Sequence, residues 1–157
     1  MSKHETFLDA AEDFMEKYVW DVFCTPTWRY PVGEDRAKRD VREFVSKFGE
    51  QAYGYVKSER GPQGGRIHAH AAIGGLNPIA KNRGDQLWPY GIIHWEPYRR
   101  GGGAARYLWK NAEEVPGQFI GATPRRVCSR KRGRRGRGGK KGKIRGLANR
   151  AQPGGQL

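Results

Sequence analysis

The sequence AYGYVKSERGPQGGRIHAHAAI, residues 52–73, predicts a β-hairpin. Its two ends, 52–59 and 66–73, are rich in aromatic, β-branched and small apolar residues, a composition that is typical of strands. Between them lies GPQGG at 61–65, where one proline among three glycines favours a turn. A strand, a glycine-rich loop and a second strand together indicate an antiparallel pair.

The segments around this hairpin predict the rest of the domain. Apolar residues recur at helical spacing over 4–18, 34–49 and, more briefly, 103–112. Runs of aromatic and β-branched residues at 19–27 and 90–96 predict two further strands. The order helix, strand, helix, hairpin, strand, helix indicates an α+β domain in which helices cover an antiparallel sheet.

The positive charge is concentrated at the C-terminal end. Residues 1–122 hold 17 Lys and Arg against 16 Asp and Glu, whereas residues 123–157 hold 13 Lys and Arg and no acidic residue. The second segment is rich in glycine and poor in large apolar residues, which predicts a domain over 1–122 and a disordered basic tail over 123–157. Such a tail favours nucleic-acid binding, although a solubilising tail or a targeting signal has the same composition. The tail residues predicted to contact DNA are Arg125, Arg126, Arg130, Lys131, Arg132, Arg134 and Arg135.

The sequence predicts neither a membrane span nor secretion. No run of about 18 apolar residues occurs, and no charged, apolar and small-residue signal opens the chain. The two cysteines lie in different contexts, Cys24 in an apolar run and Cys128 in a basic one. This usage indicates reduced thiols, so we expect a cytoplasmic protein.

Two histidines stand on the second strand of the hairpin. Side chains alternate between the faces of a strand, so His68 and His70 share one face and can converge on a single metal ion. Glu59 is the only carboxylate on the neighbouring strand and is the candidate third ligand. Two imidazoles and one carboxylate with open positions suit Mg or Mn. The alternative is a polar face whose histidines bond to the backbone or to solvent.

The sequence GGGAARYLWKN, residues 101–111, contains a candidate nucleophile. Tyr107 and Lys110 are three residues apart and share a helix face. A tyrosine hydroxyl is a poor nucleophile at neutral pH, because its pKa is about 10. A neighbouring ammonium and a metal-polarised phosphate would ease its attack. An ordinary exposed helix with a tyrosine packed on the sheet is the alternative.

Three motifs, in this order, resemble those of the HUH endonucleases, specifically the single-tyrosine rolling-circle replication initiators (Rep proteins) of plasmids and single-stranded DNA phages. FCTPTW at 23–28 is similar to the first motif, although Pro26 stands where a large apolar residue is common. HAH at 68–70 matches the histidine–hydrophobic–histidine motif, with a small middle residue. YLWK at 107–110 matches the YxxK motif, and the resemblance covers about residues 19–112.

The resemblance implies a mechanism. Glu59, His68 and His70 would hold a divalent cation, Mn or Mg, that polarises the scissile phosphate of single-stranded DNA. Tyr107 would attack in line, giving a 5′-phosphotyrosine and a free 3′-hydroxyl that primes replication, and reversal would join ends. Lys110 would stabilise the developing charge. The implied HUH/RRM-like fold is a central antiparallel sheet of about five strands with flanking helices, with both histidines on a central strand.

The implied partners are single-stranded DNA, a replication origin and a host helicase, since no Walker A motif occurs in the sequence. Trp28, Arg29 and Arg66 lie near the ends of the motifs, where stacking and positive charge suit a single strand. His94 could line the site, although its place on a predicted strand favours a core or sheet-face role.

Three other classes of protein compete with the Rep interpretation. A single-tyrosine HUH transposase usually carries Gln rather than Lys after the tyrosine. A relaxase has a third histidine ligand and a tyrosine near its start. A non-enzymatic nucleic-acid-binding protein would explain the basic tail but not the histidine pair.

Overall fold

A computed structural model of the chain describes residues 3–61, 65–109 and 117–128. The helices in this part of the chain are α1 (Lys3–Glu16), α2 (Glu34–Ser46), α3 (Pro78–Arg83), which runs into a 3-10 helix (Gly84–Leu87), and α4 (Ala104–Trp109). The strands are β1 (Val22–Trp28), β2 (Tyr53–Arg60), β3 (Ile67–Gly74), β4 (Gly91–Pro97) and β5 (Gln118–Gly121). None of the helices described has both the length and the apolar character that crossing a bilayer requires.

The five strands form one antiparallel sheet in the order β4-β1-β3-β2-β5. β2 and β3 pair along their whole length, from Tyr53 opposite Gly74 to Arg60 opposite Ile67. β3, which carries both histidines, is the central strand. The predicted α+β fold, a five-stranded antiparallel sheet with flanking helices, is therefore confirmed.

One face of the sheet packs against α2 and forms the main core. Alternation along β3 turns Ile67, Ala69, Ala71 and Ile73 toward this side. The two alanines leave room for the large side chains of α2, of which Phe44 is fully buried. Burial of each large apolar side chain contributes about 1.5–3 kcal/mol, so this layer supplies much of the stability of the fold.

Among the described residues, α1 and α4 cover only part of the opposite face. A second core cluster joins these helices to the sheet through Met15, Phe23, Tyr53, Tyr55 and Leu108. Beyond this cluster β4 presents Ile92, which is 80% exposed, and His94, whose side chain is 67% exposed. The uncovered part of this face is called the open face below, and it consists of Thr25 and Thr27 of β1 together with Ile92, His94 and Glu96 of β4.

Several elements differ from the sequence prediction. The strand predicted over 19–27 begins only at Val22, because the backbone before it, at Tyr18 and Val19, pairs with residues 125–126. α3 was not predicted, since it has six residues and no apolar period. It begins where the side chain of Asn77 accepts a hydrogen bond from the Ala80 amide, at 2.8 Å. β5 was not predicted from residue pattern either, because its four residues acquire strand structure only by pairing with β2.

The chain continues in the fold beyond the predicted domain boundary at 122. The amide of Val19 donates to the carbonyl of Arg125 at 2.9 Å, and the amide of Val127 donates to that of Lys17 at 2.8 Å. Tyr18 and Arg126 form an isolated β-bridge between these two bonds. Residues 125–127 therefore pair with the folded part of the chain beyond the predicted boundary. The remainder of the predicted tail, 129–157, lies outside the described residues.

Candidate active site

The hairpin register brings the third predicted ligand to the histidines. In the β2–β3 ladder Glu59 lies directly opposite His68, and Lys57 lies directly opposite His70. Directly opposite residues of an antiparallel pair point to the same face, so all four side chains share the face that carries α1 and α4. A shift of one residue would have turned Glu59 toward α2 instead.

The ligand atoms of the predicted triad converge on one point. Glu59 Oε1 lies 3.0 Å from His68 Nε2 and 3.1 Å from His70 Nε2. The candidate ligand atoms of the three residues all lie within 4.8 Å of one another. Two imidazole nitrogens and a carboxylate oxygen aimed at a common centre fit a single divalent cation, and the remaining coordination positions are free for substrate oxygen. The residues present therefore suit a divalent cation, and its identity as Mn or Mg stays a prediction.

Thr25 orients His70 from the neighbouring strand. Its Oγ1 lies 3.2 Å from His70 Nδ1. When Nδ1 carries the proton and donates to this hydroxyl, Nε2 presents its lone pair toward the triad centre, which is the arrangement of a metal-ligating histidine. Thr25 belongs to the FCTPTW motif, but no role was predicted for it, because only the pairing of β1 with β3 shows its neighbour.

Burial keeps His70 in the form that binds metal. Its side chain is 3% exposed, and this burial lowers the pKa of His70 to about 4. Glu59 acts in the opposite direction on that pKa but does not restore it to the ordinary range. The imidazole is therefore neutral at neutral pH, as a ligand must be.

Tyr107 lies over this site. The centroid of its ring is 4.5 Å from that of His70, with the planes at 80°, and 6.4 Å from that of Phe23. The neighbouring residues Ala105 and Leu108 are buried and hold α4 against the sheet, whereas Tyr107 itself is 46% exposed. The predicted nucleophile and the predicted metal ligands are thus brought together.

The lysine found beside the triad is Lys57, whereas the predicted lysine was Lys110. Lys110 lies outside the described residues. Lys57 was not identified from the sequence, yet it is 1% exposed and faces the same side of the sheet as the triad. Its spacing of two from Glu59 on a predicted strand was the signal that could have identified it.

Trp28, which was predicted to stack on DNA, is buried in the structure and does not offer its ring to a ligand at the surface. Its side chain is buried in the core beside α2, where the indole nitrogen donates to Asp40 Oδ2 at 2.8 Å and the ring packs edge-on against Trp88. The reason is the register of β1: Thr27 pairs with His68 and faces the site, so the next residue faces the opposite side.

The predicted arginines lie at two ends of the sheet. Arg29 and Arg66 are exposed and flank the Thr27–His68 pair, at the end that carries the triad. Arg125 and Arg126 are also exposed, but they follow β5 and pair with the segment before β1, at the other end. The other tail residues predicted to contact DNA lie outside the described residues: Arg130, Lys131, Arg132, Arg134 and Arg135.

His94 takes a sheet-face position and not a core position. It lies opposite Thr25 in the β1–β4 ladder, so it shares the face of the triad. Its Nε2 is 3.6 Å from Glu96 Oε2, and both side chains are at least half exposed. His94 therefore belongs to the open face beside the site and is not a member of the triad.

Comparison with known proteins gives little further information. No protein-family model matches the chain, and no curated protein sequence matches it. The structure is similar to the crystal structure of the hypothetical protein ORF119 from Sulfolobus islandicus rod-shaped virus 1, with a TM-score of 0.44 and 18% sequence identity. That similarity covers 66% of this chain and 89% of the viral protein.

Proposed function

We propose that this protein is a metal-dependent single-stranded DNA endonuclease and strand transferase that initiates rolling-circle replication. One observation carries the proposal: the ring of Tyr107 lies 4.5 Å from the ring of His70, within a Glu–His–His cluster suited to a divalent cation. These groups come from β2, β3 and α4, so their convergence is a property of the folded chain. The resemblance of three sequence motifs to those of Rep proteins supports the same activity.

In the proposed reaction Tyr107 is the nucleophile. Its Oη attacks the scissile phosphorus and loses its proton, while the bond from phosphorus to the 3′-oxygen breaks and that oxygen gains a proton. The products are a 5′-phosphotyrosine and a free 3′-hydroxyl. Glu59, His68 and His70 would hold a Mn or Mg ion, which when bound supplies Lewis-acid polarisation of the phosphate. Attack by another 3′-hydroxyl on the phosphotyrosine reverses the step and joins ends.

The open face beside the triad supports a single strand as substrate. Ile92 and His94 are exposed on the same sheet face as the site, where unpaired bases can contact them. Arg29 and Arg66 are exposed at the triad end of the sheet and offer positive charge to phosphates. We propose that the strand is drawn from a replication origin in the cytoplasm, that a host helicase unwinds it, and that Lys110 assists Tyr107.

The test uses the full chain, a library of short single-stranded oligonucleotides and Mn. We expect a covalent adduct of the protein with one oligonucleotide fragment, seen by denaturing gel and intact mass. Tyr107→Phe should abolish the adduct and preserve binding. Tyr30→Phe, at a tyrosine that is 73% exposed, is the matched control and should behave like the wild type. An adduct that persists in Tyr107→Phe would contradict the proposal.

The metal is tested separately. Glu59→Ala should reduce adduct formation by at least about a hundredfold and leave single-strand binding in place, because it removes one ligand of three. His94→Ala, on the same face but outside the triad, should leave adduct formation at saturating DNA unchanged. Full activity in excess chelator would remove the metal from the mechanism.

The basic C-terminal segment favours a second candidate function. Thirteen Lys and Arg without an acidic residue over 123–157 are sufficient for non-enzymatic binding of nucleic acid. Salt-sensitive binding with no adduct for any sequence would support that function instead. A transposase would form the same adduct but would act on element ends and not on an origin.

A further inference from the structure

We propose that a cleft between α2 and Tyr90 is a second binding site for the phosphate backbone of single-stranded DNA. The cleft lies on the α2 side of the sheet, opposite the face that carries the triad, so it is separate from the candidate metal site. The inference rests on the proposed function in taking single-stranded DNA as the ligand. It assigns phosphate contacts to Arg39 and Arg42.

The cleft has the size of a ligand site and a basic lining. Its volume is about 560 Å³, and ligand clefts in proteins commonly measure about 300–1,000 Å³. The lining includes Arg36, Arg39, Asp40, Arg42, Glu43 and Tyr90. The three arginines follow one another at intervals of three residues along α2, so each lies beside the next on the exposed side of the helix.

The acidic residues of the cleft already have partners within the protein. Asp40 is buried and accepts a hydrogen bond from Arg36 Nε at 2.7 Å. Glu43 Oε1 lies 3.4 Å from Lys47 Nζ. The other oxygen of Glu43 accepts a hydrogen bond from the Tyr90 hydroxyl at 3.2 Å. Each carboxylate in the lining is therefore matched by a positive charge other than Arg39 and Arg42.

Arg39 and Arg42 are left to bind an external anion. Both are exposed, and within the described residues neither of them forms an ion pair. Asp35 lies one helical turn before Arg39, yet these two residues form no ion pair either. Guanidinium groups bind phosphate oxygens through strong charge-assisted hydrogen bonds. Two of them on adjacent turns of one helix therefore fit a phosphate backbone.

Tyr90 forms a fixed wall of the cleft. Its ring packs edge-on against Trp88, with centroids 5.1 Å apart and planes at 82°. Arg36 Cζ lies 5.7 Å from the centroid of the same ring. These contacts and the hydrogen bond to Glu43 hold the ring beside the free arginines. An aromatic ring next to positive charge is the combination that suits a single strand.

The cleft lies at the end of the sheet that carries the triad. Thr27 of β1 pairs with His68 on one side and with Ile92, two residues after Tyr90, on the other. From β3 to β4 the distance is two strand spacings, about 10 Å. The exposed Arg29 adjoins the cleft, because its amide donates to the Tyr90 carbonyl at 2.8 Å. One strand of DNA can therefore occupy the triad, pass round this end of the sheet and enter the cleft.

The test measures the salt dependence of binding and not cleavage. Full-length Tyr107→Phe protein is titrated with a fluorescent oligothymidylate at a series of KCl concentrations. Each phosphate contact on a single strand contributes about 0.7 to the slope of the logarithm of the binding constant against the logarithm of salt. We expect Arg39→Ala with Arg42→Ala to reduce that slope by roughly 1.4, the value for two contacts. Arg39→Lys with Arg42→Lys keeps both charges and should retain the slope of the parent protein.

Arg83→Ala with Arg99→Ala removes two exposed arginines outside the cleft and is the matched control, whose slope should equal that of the parent. An unchanged slope in Arg39→Ala with Arg42→Ala would overturn the inference. An equal reduction in the control would overturn it as well, because the effect would then come from net charge and not from the cleft. The proposed function is judged separately by the Tyr107-dependent adduct, which forms or fails to form whatever these slopes show.

Discussion

His70 is buried in the packed sheet and is also a candidate metal ligand. Its Nδ1 faces Thr25, its Nε2 faces Glu59, and its ring contacts Tyr107. Each contact comes from a different element, so the position of this one side chain defines the site. The same enclosure removes the imidazole from water and favours its neutral form.

This burial predicts a pH dependence of stability in metal-free protein. The pKa of His70 is lowered by burial to about 4, against 6.5 in an unfolded chain. The unfolded state therefore binds more protons between these values, and the stabilising contribution is complete above pH 6.5 and lost as the pH falls toward 4. We expect a loss on the order of 2 kcal/mol from this residue, measured by urea unfolding. His70→Leu should lose less over the same range, and parallel profiles for the two proteins would contradict the assignment.

At the scale of elements, α4 is the helix whose placement matters most. It has six residues, and it is preceded by Gly101 and Gly103, whose φ angles of 65° and 83° favour glycine. The position of α4 therefore depends on its contacts with other elements. Arg106 Nε lies 3.1 Å from Glu12 Oε2 of α1, and Arg106 also pairs with Asp9 of that helix. α1 is thus the support that holds Tyr107 over the triad.

Loss of the contacts between Arg106 and α1 should lower the rate of adduct formation and leave the affinity for metal unchanged. We expect Arg106→Ala to lower the rate constant of adduct formation roughly tenfold, since a nucleophile depends steeply on its position. Mn affinity should stay unchanged, because the triad lies on β2 and β3. Arg99→Ala, an exposed arginine in the preceding turn, is the control. Recovery of the rate in Arg106→Lys, which keeps the positive charge beside Asp9 and Glu12, would separate a specific contact from general destabilisation. A rate of adduct formation in Arg106→Ala equal to that of the wild type would contradict the role of Arg106 in positioning α4.

At the scale of the whole molecule, charge and fold are divided along the chain. Residues 1–122 are nearly neutral, whereas 129–157 alone carry 11 Lys and Arg and no acidic residue. The triad and Tyr107 lie within the described part of the chain, on the sheet and α4. In the proposed function, this division separates strand cleavage by the domain from a sequence-independent attraction of the basic segment to nucleic acid.

Deletion of 129–157 should therefore flatten the salt dependence of single-strand binding. The logarithm of the binding constant falls by about 0.7 per neutralised phosphate for each unit of the logarithm of salt, so a loss of several contacts gives a clearly smaller slope. Adduct formation at saturating DNA should persist. Deletion of 146–157 removes only one basic residue, Arg150, and should leave the slope nearly unchanged. An unchanged slope without 129–157 would show that this segment does not contact phosphates.

The sequence by itself determined the α+β class, the hairpin and the shared face of His68 and His70. These are local properties: alternation along a strand and a glycine-rich turn need no distant partner. The resemblance to Rep proteins added the number of strands and the central position of β3. The fold class and strand number are confirmed, while the catalytic role of Tyr107 stays a prediction.

Only the tertiary structure decided what lies around the histidines. Register placed Glu59 opposite His68, and strand pairing placed Thr25 against His70. Register also turned Trp28 into the core and left Lys57 buried at the site. Such contacts join residues that are distant in the sequence, and their choice depends on which faces bury the most apolar surface together. For this reason the three candidate ligands could be named from the sequence, whereas the complete set of their neighbours could not.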